Sequence, residues 1–407
     1  MKTALGHLKV LDLTRVLAGP WATQNLADMG AEVIKVERPG QGDDTRGWGP
    51  PFLKDGEGRD TQEAAYYLST NRGKKSITLD LASGEGQQIV RDLVRDADVV
   101  VENYKVGTLA RYGLSYQDLR AINPRLVYCS ITGFGQDGPY AKLPGYDFVF
   151  QGMGGLMSIT GQPDGEPGGG PMKCGVAITD LLTGMYATTA ILAALEHRNV
   201  SGEGQYIDMA LLDCVVAING YQAMSYFLTG KSPERMGNAH PNMVPYQVFC
   251  CQEGELIVAV GNDGQYAAFC RVIGRPDLAA DPRFTTVEGR NRNRQALIPQ
   301  IAAQMLTRTM GEWVTLLEAA KVPCGPINNL QQVFDDPQVR HREMQLSLPH
   351  ASGTDIPSLA SPIRFSDTPI RYRYAAPLLG EHTDEVLGGR LGLPPARIAE
   401  LKSRGIV

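Results

Sequence analysis

The chain has 407 residues, 43% of them hydrophobic and 20% charged, with a formal net charge of -5. That length exceeds one ordinary core and predicts two or three domains in an ordinary globular composition. The acidic balance gives no electrostatic footprint for nucleic acid.

Strand and helix signals alternate along the first 135 residues or so. "LKVLDL" is a short apolar run, and "GPWATQNLADMG" follows with a helical pattern closed by Gly30. "AEVIKVE" is a second strand, broken by "RPGQGDDTRGWGPP". Then come "KSITLDL", a helical "SGEGQQIVRDLVRDA", the strand "DVVVENY", the helix "GLSYQDLRAINP" and "RLVYCSITGFG". Strands separated by helices of about a dozen residues predict a doubly wound α/β domain on a parallel, Rossmann-like sheet. "CGVAITDLLTGMYATTAILAALEHR", Cys174 to Arg198, reads as a buried helix with one acid near its start. "YIDMALLDCVVAINGYQAMSYFLTG" reads as a second long apolar helix. After it, short strands ("YQVFCCQEGELIVAVG") and polar helices predict a smaller α+β domain. The division expected is a large domain over 1–225, a small one over 226–335, and a segment 336–407 returning to the large domain. That last piece is too short to fold alone.

Seven cysteines are scattered, with no CxxC pair and no histidine at zinc-ligand spacing, so no metal site is expected. The N-terminal "MKTALGHLKVLDLTRV" lacks the apolar core of a signal peptide. No apolar run is expected to approach the roughly 18 residues that span a bilayer. These signs predict a cytoplasmic protein that binds no membrane.

Asp180 has two readings. It suits a helix first turn, where free N–H groups and the macrodipole favour an acid. It also stands one helical face above Gly184, Ala187 and Thr188, a stripe without bulk against which a ligand can lie. A weakly solvated carboxylate there is a competent nucleophile. Arg15, Arg38, Arg46, Arg72, Lys74 and Lys75 fall near strand ends, where an open α/β sheet binds ligands, and cations there suit a phosphorylated one. No GxGxxG fingerprint is present. "GNDGQ", from Gly261 and Asn262 onward, reads either as a plain turn into a helix or as a backbone donor loop. His240 is the single histidine of a turn-rich stretch.

In order along the chain, "VLDLTRVLAGPWATQNLADMGAEVIKVERPGQGDDTRGW", "NRGKKSITLDL", "DVVVENYKVGTLARYGL", "SITGFGQDGPY", "TDLLTG", "GNAHPNMVPYQVF", "VPCGPINN" and "PLLGEHTDEVL" resemble the class III (CaiB/BaiF) CoA-transferases. "DLTRVLAGP", "GDDTRGWGPPF" and "HPNMVPYQ" are similar to the branch acting on short dicarboxylates, the succinate–hydroxymethylglutarate (glutarate) CoA-transferases. The resemblance implies CoA transfer from a donor such as succinyl-CoA to a carboxylic acid, with Asp180 as nucleophile. It implies acyl-CoA as substrate, no tightly bound cofactor, and an interlocked homodimer. Arg38 is then expected near the adenine, Asn103, Tyr104 and Arg111 around the nucleotide, and Ala18 and Lys74 at further CoA contacts. Leu17, Tyr146, His240, Gly261 and Asn262 are expected around the acyl group. Pro144 and Leu17 replace a lysine and a glutamine of oxalate-specific members, so oxalate is not the implied acceptor. The rival reading is the 2-methylacyl-CoA racemase branch, whose "GHD" histidine is Tyr146 here, and tyrosine is a poor base at neutral pH. A non-catalytic CoA-binding scaffold is a third reading, against which the retained Asp180 speaks.

Overall fold

Six of the apolar runs pair into one parallel sheet in the computed structural model, which describes residues 3–407. Its strands are β1 (Lys9–Asp12), β2 (Glu32–Glu37), β3 (Lys74–Thr78), β4 (Val99–Glu102), β5 (Val127–Thr132) and β6 (Tyr206–Ala210). They lie in the order β3-β2-β1-β4-β5-β6, every neighbouring pair parallel. The chain winds outward from β1 to β3, then returns to place β4 on the other side of β1. That reversal opens a crevice beyond the carboxyl ends of β1 and β4, where sheets of this kind take their ligands.

Alternation along each strand divides the core in two. Val10, Val33, Val99, Val101 and Cys129 face α1 (Ala18–Asp28) and α4 (Ile178–Ser201), in one apolar cluster with Ala22, Leu26, Ala187 and Ile191. Leu11, Ile34, Val100 and Tyr128 face the opposite side and pack with Ile89, Val90 and Leu93 of α2 (Gly84–Val94). The C-terminal residues Val386, Leu387, Ile398 and Leu401 complete that second cluster. His382 N–H donates to the Ser76 carbonyl at 2.9 Å, pinning the returning tail to β3.

Two departures from the sequence reading stand out. Residues 206–210, read as the start of a long helix, are instead the edge strand β6, bonded along β5. The helices after it are separate, α5 (Leu211–Ile218) and Gly220–Thr229, divided at Gly220, whose φ of 48° lies in the left-handed region. The apolar run that was not expected to reach membrane-spanning length is α4, whose 24 residues would suffice by length and composition. It packs instead as a core helix, with Ala187, Ile191 and Ala194 buried.

The chain divides into two compact units. One takes the chain up to Leu156, then Cys174–Gly220 and Gln338–Val407; the other takes Met157–Lys173 and Tyr221–Pro337. The Gly- and Pro-rich stretch 157–173 therefore goes with the second unit and interrupts the continuous large domain expected over 1–225. The second unit holds an antiparallel sheet of β7 (Tyr246–Cys250), β8 (Glu255–Ala259) and β9 (Cys324–Pro326), with Phe249, Leu256, Phe269 and Trp313 in its core.

A buried ionic cluster joins the carboxyl ends of β1 and β2 to the start of β3. Lys74 Nζ, fully buried, donates to Asp12 Oδ2 at 3.0 Å, the Pro20 carbonyl at 2.9 Å and Asn71 Oδ1 at 2.8 Å. Lys35 donates to Asp43 and to the Thr14 carbonyl, and Arg46 bridges Glu37 and Glu63. Removing one member of such a set leaves its partner's charge uncompensated. Replacing Lys74 by Met is expected to cost about 3–5 kcal/mol of stability in urea unfolding. A stability within about 0.5 kcal/mol of wild type would show that the ammonium is not held as described.

Candidate active site

The first turn of α4 has no side-chain cap of its own, because Ala177 precedes it. A carboxylate from elsewhere does the capping. Asp147, first residue of α3 (Asp147–Met153), accepts from Thr179 N at 2.7 Å and from Asp180 N at 3.3 Å through Oδ1. Its Oδ2 accepts from Gln151 Nε2 at 2.6 Å, and Gln151 in turn accepts from Cys174 N at 2.8 Å. The orphan N–H groups of the helix start are thus met by a fixed anion, as the macrodipole favours.

Asp180 stands in that same turn, 9% exposed and with no cation beside it. Burial, followed by the negative charge of Asp147, pushes its carboxyl up to about 7. The Tyr66 phenol faces the same two acids: burial and then the charges of Asp180 and Asp147 raise it to about 12. Trp48 meets Tyr66 edge to face at 5.2 Å. One turn further on, Gly184 lets α1 and α4 touch. A Cβ there would lie 2.7 Å from the Ala18 carbonyl oxygen and 2.9 Å from Trp21 Cδ1. Ala18 opens α1 directly after Leu17 and after Val16, a β-branched residue held at φ 71°. Such strain persists where the surroundings over-determine it, and it clusters at functional sites.

The other expected residues fall as follows. Arg38 is exposed just past the end of β2, and Arg111 is exposed at the end of the short helix Thr108–Arg111. Asn103 follows β4 and clamps the end of β1: its Oδ1 accepts from Arg15 N at 2.9 Å and its Nδ2 donates to the Arg15 carbonyl at 2.7 Å. Tyr104 lies under the Arg15 guanidinium, 5.3 Å from the ring centre. Asn103 and Tyr104 therefore sit at the crevice between β1 and β4. Lys74 does not reach its surface. Burial lowers its ammonium to about 8 against the pull of Asp12, and all three of its bonds run inward. Leu17 is buried at the start of α1, while Tyr146 is exposed and precedes α3.

His240, Gly261 and Asn262 belong to the second unit. His240 Nδ1 accepts from Asn242 N and Met243 N, and its ring stacks on Tyr221 at 5.7 Å, so it braces a turn. Gly261 N–H, read as a possible free donor, already donates to Gln265 Oε1 at 2.9 Å, while Asn262 caps α6 (Asp263–Val272) by accepting from Gln265 N. Among the described residues no group of three metal-ligating side chains gathers. Sequence reasoning missed Asp147 and Tyr66. Asp147 had a usable signal, an acid directly after Tyr146 at a helix start; Tyr66 had none, since its relation to Asp180 spans more than a hundred residues.

The raised carboxyl of Asp180 has a stability consequence with a definite sign. The folded state binds this proton more tightly than the unfolded chain, so stability falls as pH rises from about 4 to about 7. Asp180→Asn removes that penalty. The variant is expected to unfold at higher temperature than wild type at pH 8, by up to a few kcal/mol in stability, with the gap closing near pH 4. Equal melting temperatures at pH 8 would contradict the burial of an unpaired charge.

Comparison with known proteins gives the family of the chain. The model of CoA-transferase family III matches residues 5–383. The succinate–glutarate CoA-transferase of Agrobacterium fabrum is 51% identical over 95% of both chains. The human succinyl-CoA:glutarate CoA-transferase is 42% identical over 99% of this chain and 90% of that one. Among solved structures, a CaiB/BaiF family protein from Brucella suis superimposes with a TM-score of 0.83 at 48% identity, covering 96% of this chain and all of that one. With a buried, unpaired aspartate at the start of its longest helix, the chain belongs to CoA-transferase family III.

Proposed function

We propose that the protein moves CoA from succinyl-CoA to a short dicarboxylate such as glutarate, with Asp180 carrying the acyl group and then CoA. The observation that carries this reading is Asp180 itself, a carboxylate buried without a cation and free to act as a nucleophile. Its oxygen attacks the succinyl thioester, expelling CoA thiolate and leaving a succinyl–aspartyl anhydride. The thiolate attacks the aspartyl carbonyl, which releases succinate and leaves an aspartyl-CoA thioester. The acceptor carboxylate attacks that thioester, again expelling thiolate. Thiolate then attacks the acceptor's carbonyl in the new anhydride, giving the product thioester and restoring Asp180. Each step exchanges one activated acyl bond for another, and dry surroundings keep water from hydrolysing them.

Names among the relatives support the substrate class: those from Agrobacterium fabrum and human are succinate–glutarate enzymes, and one from Haloarcula hispanica, 41% identical, is a succinyl-CoA:mesaconate CoA-transferase. In this reading the nucleotide of CoA lies across the crevice with Arg38, Asn103, Tyr104 and Arg111 around it. Ala18, beside Gly184, faces the pantetheine end, and Lys74 contributes through the turn it holds. Leu17 and Tyr146 lie around the acyl group. The active form is a homodimer. Phe148, Val149 and Met153 on α3, and Met185 and Tyr186 on α4, are large apolar residues left exposed on one chain, as an interface leaves them. The racemase reading is not favoured: it needs a base on each face of the α-carbon, and Tyr146 stands where one would be.

The test is an assay with succinyl-CoA as donor and glutarate, mesaconate, oxalate and acetate as acceptors, the CoA products read by mass spectrometry, beside 2-methylacyl-CoA in D₂O. Glutaryl-CoA should form without deuterium entering 2-methylacyl-CoA, and Asp180→Ala should lose activity by about 10⁴-fold or more. Full transfer by Asp180→Ala, or rapid α-deuteration with no transfer to any acid, would overturn the reading.

A further inference from the structure

Seven Asp and Glu side chains are buried among the described residues: Asp12, Asp28, Glu37, Asp43, Glu63, Glu102 and Asp180. Five of them have a Lys or Arg nitrogen within 3.0 Å. Two have none. One is Asp180. The other is Glu102, at the carboxyl end of β4 on the sheet face turned away from α1 and α4.

Glu102 is 6% exposed, and what does reach it comes from a cavity of about 330 Å³. Its two oxygens accept only neutral donors, the Ser130 hydroxyl and Tyr104 N at 2.7 Å. The walls are aromatic. Tyr104, Tyr116, Tyr128 and Tyr206 all line the cavity, and the last three touch one another with ring centres 5.5–6.0 Å apart. A buried carboxyl lacking a cation at the floor, and tyrosine rings around it, are complementary to one kind of guest. Ring faces attract ammonium groups, and a buried carboxylate is stabilised by a paired charge. The volume lies at the small end of ligand pockets and suits a compact organic ion. The one basic residue of the lining, Lys105, is exposed and makes no ion pair among the described residues.

We infer that this cavity is a binding site for a small organic ammonium ion, seated on Glu102 and walled by the four tyrosines, on the opposite face of the sheet from Asp180. Lys105 at the rim repels such a guest, or competes with it by folding inward; on either course it weakens binding. The inference does not depend on the acyl specificity proposed above; Tyr104 is the one wall residue it shares with the proposed nucleotide contacts.

The experiment titrates the full-length protein with butylammonium and with tetramethylammonium chloride against sodium chloride at equal ionic strength. Binding is read by calorimetry and by saturation-transfer NMR of the ammonium ion. At least one ammonium ion should bind saturably where sodium does not. Glu102→Gln, which keeps the shape and an acceptor for Tyr104 N, should weaken it by about tenfold or more, equivalent to about 1.4 kcal/mol. Tyr206→Leu, a change at a half-exposed wall residue, should weaken it as well, and Lys105→Gln should tighten it. No saturable binding of either ion, or equal binding by wild type, Glu102→Gln and Tyr206→Leu, would overturn the inference.

Discussion

The bond set around Asp12 is the constraint on which the site depends. Its Oδ1 accepts from both the backbone N–H and the hydroxyl of Thr14; its Oδ2 accepts from the Thr23 hydroxyl and from Lys74. The strand end, the turn after it, the middle of α1 and the start of β3 are thereby tied to one carboxylate. Burial alone would push that carboxyl up, but Lys74 and Lys35 outweigh it and hold Asp12 at about 2. Asp43 adds a second tie, accepting from Val16 N at 3.2 Å and from Lys35 at 2.8 Å. Between these anchors the turn Leu13–Leu17 has little freedom, and Val16 is kept in its left-handed conformation. The turn in turn delivers Ala18 to the surface of α4, where Gly184 receives it.

The same domain handles buried acids in two opposite ways. Asp12, Asp28, Glu37, Asp43 and Glu63 are compensated by cations and serve as rigid fasteners. Asp180 is denied a cation and has a second acid, Asp147, placed behind its own backbone N–H. That choice costs stability and gives a carboxylate raised in energy, held on a helix end by a neighbour that fixes its position. A nucleophile needs both properties, reactivity and a single location. Proteins commonly carry such local instability at functional sites.

The parallel α/β architecture was legible because β-strand runs such as "VVVE" and amphipathic helices such as "GEGQQIVRDLV" carry local periodicity. So was the pattern of an acid at a helix start, Asp180, with Gly184 one turn below it. What remained hidden depends on distant partners. "YIDMA" is apolar enough for a helix and becomes a strand only because β5 offers it an edge. Lys74 looks like any loop lysine until Asp12, 62 positions away, takes its ammonium inside. Asp147 carries a local sign, an acid at a helix start beside Tyr146, but the helix it caps is α4, in a segment that no spacing rule connects to it. Glu102 reads as the end of a strand, and only the absence of a nearby cation sets it apart.

The central claim is that an oxygen atom passes through Asp180. It can be followed directly by giving the enzyme succinyl-CoA and glutarate labelled with ¹⁸O in both carboxylates, for a single turnover. When thiolate cleaves the second anhydride, one acceptor oxygen stays on the aspartate. The peptide containing Asp180 should therefore gain 2 mass units, and a following turnover with unlabelled glutarate should carry that label out in succinate. Glutaryl-CoA formed while the Asp180 peptide keeps its natural mass would contradict the account.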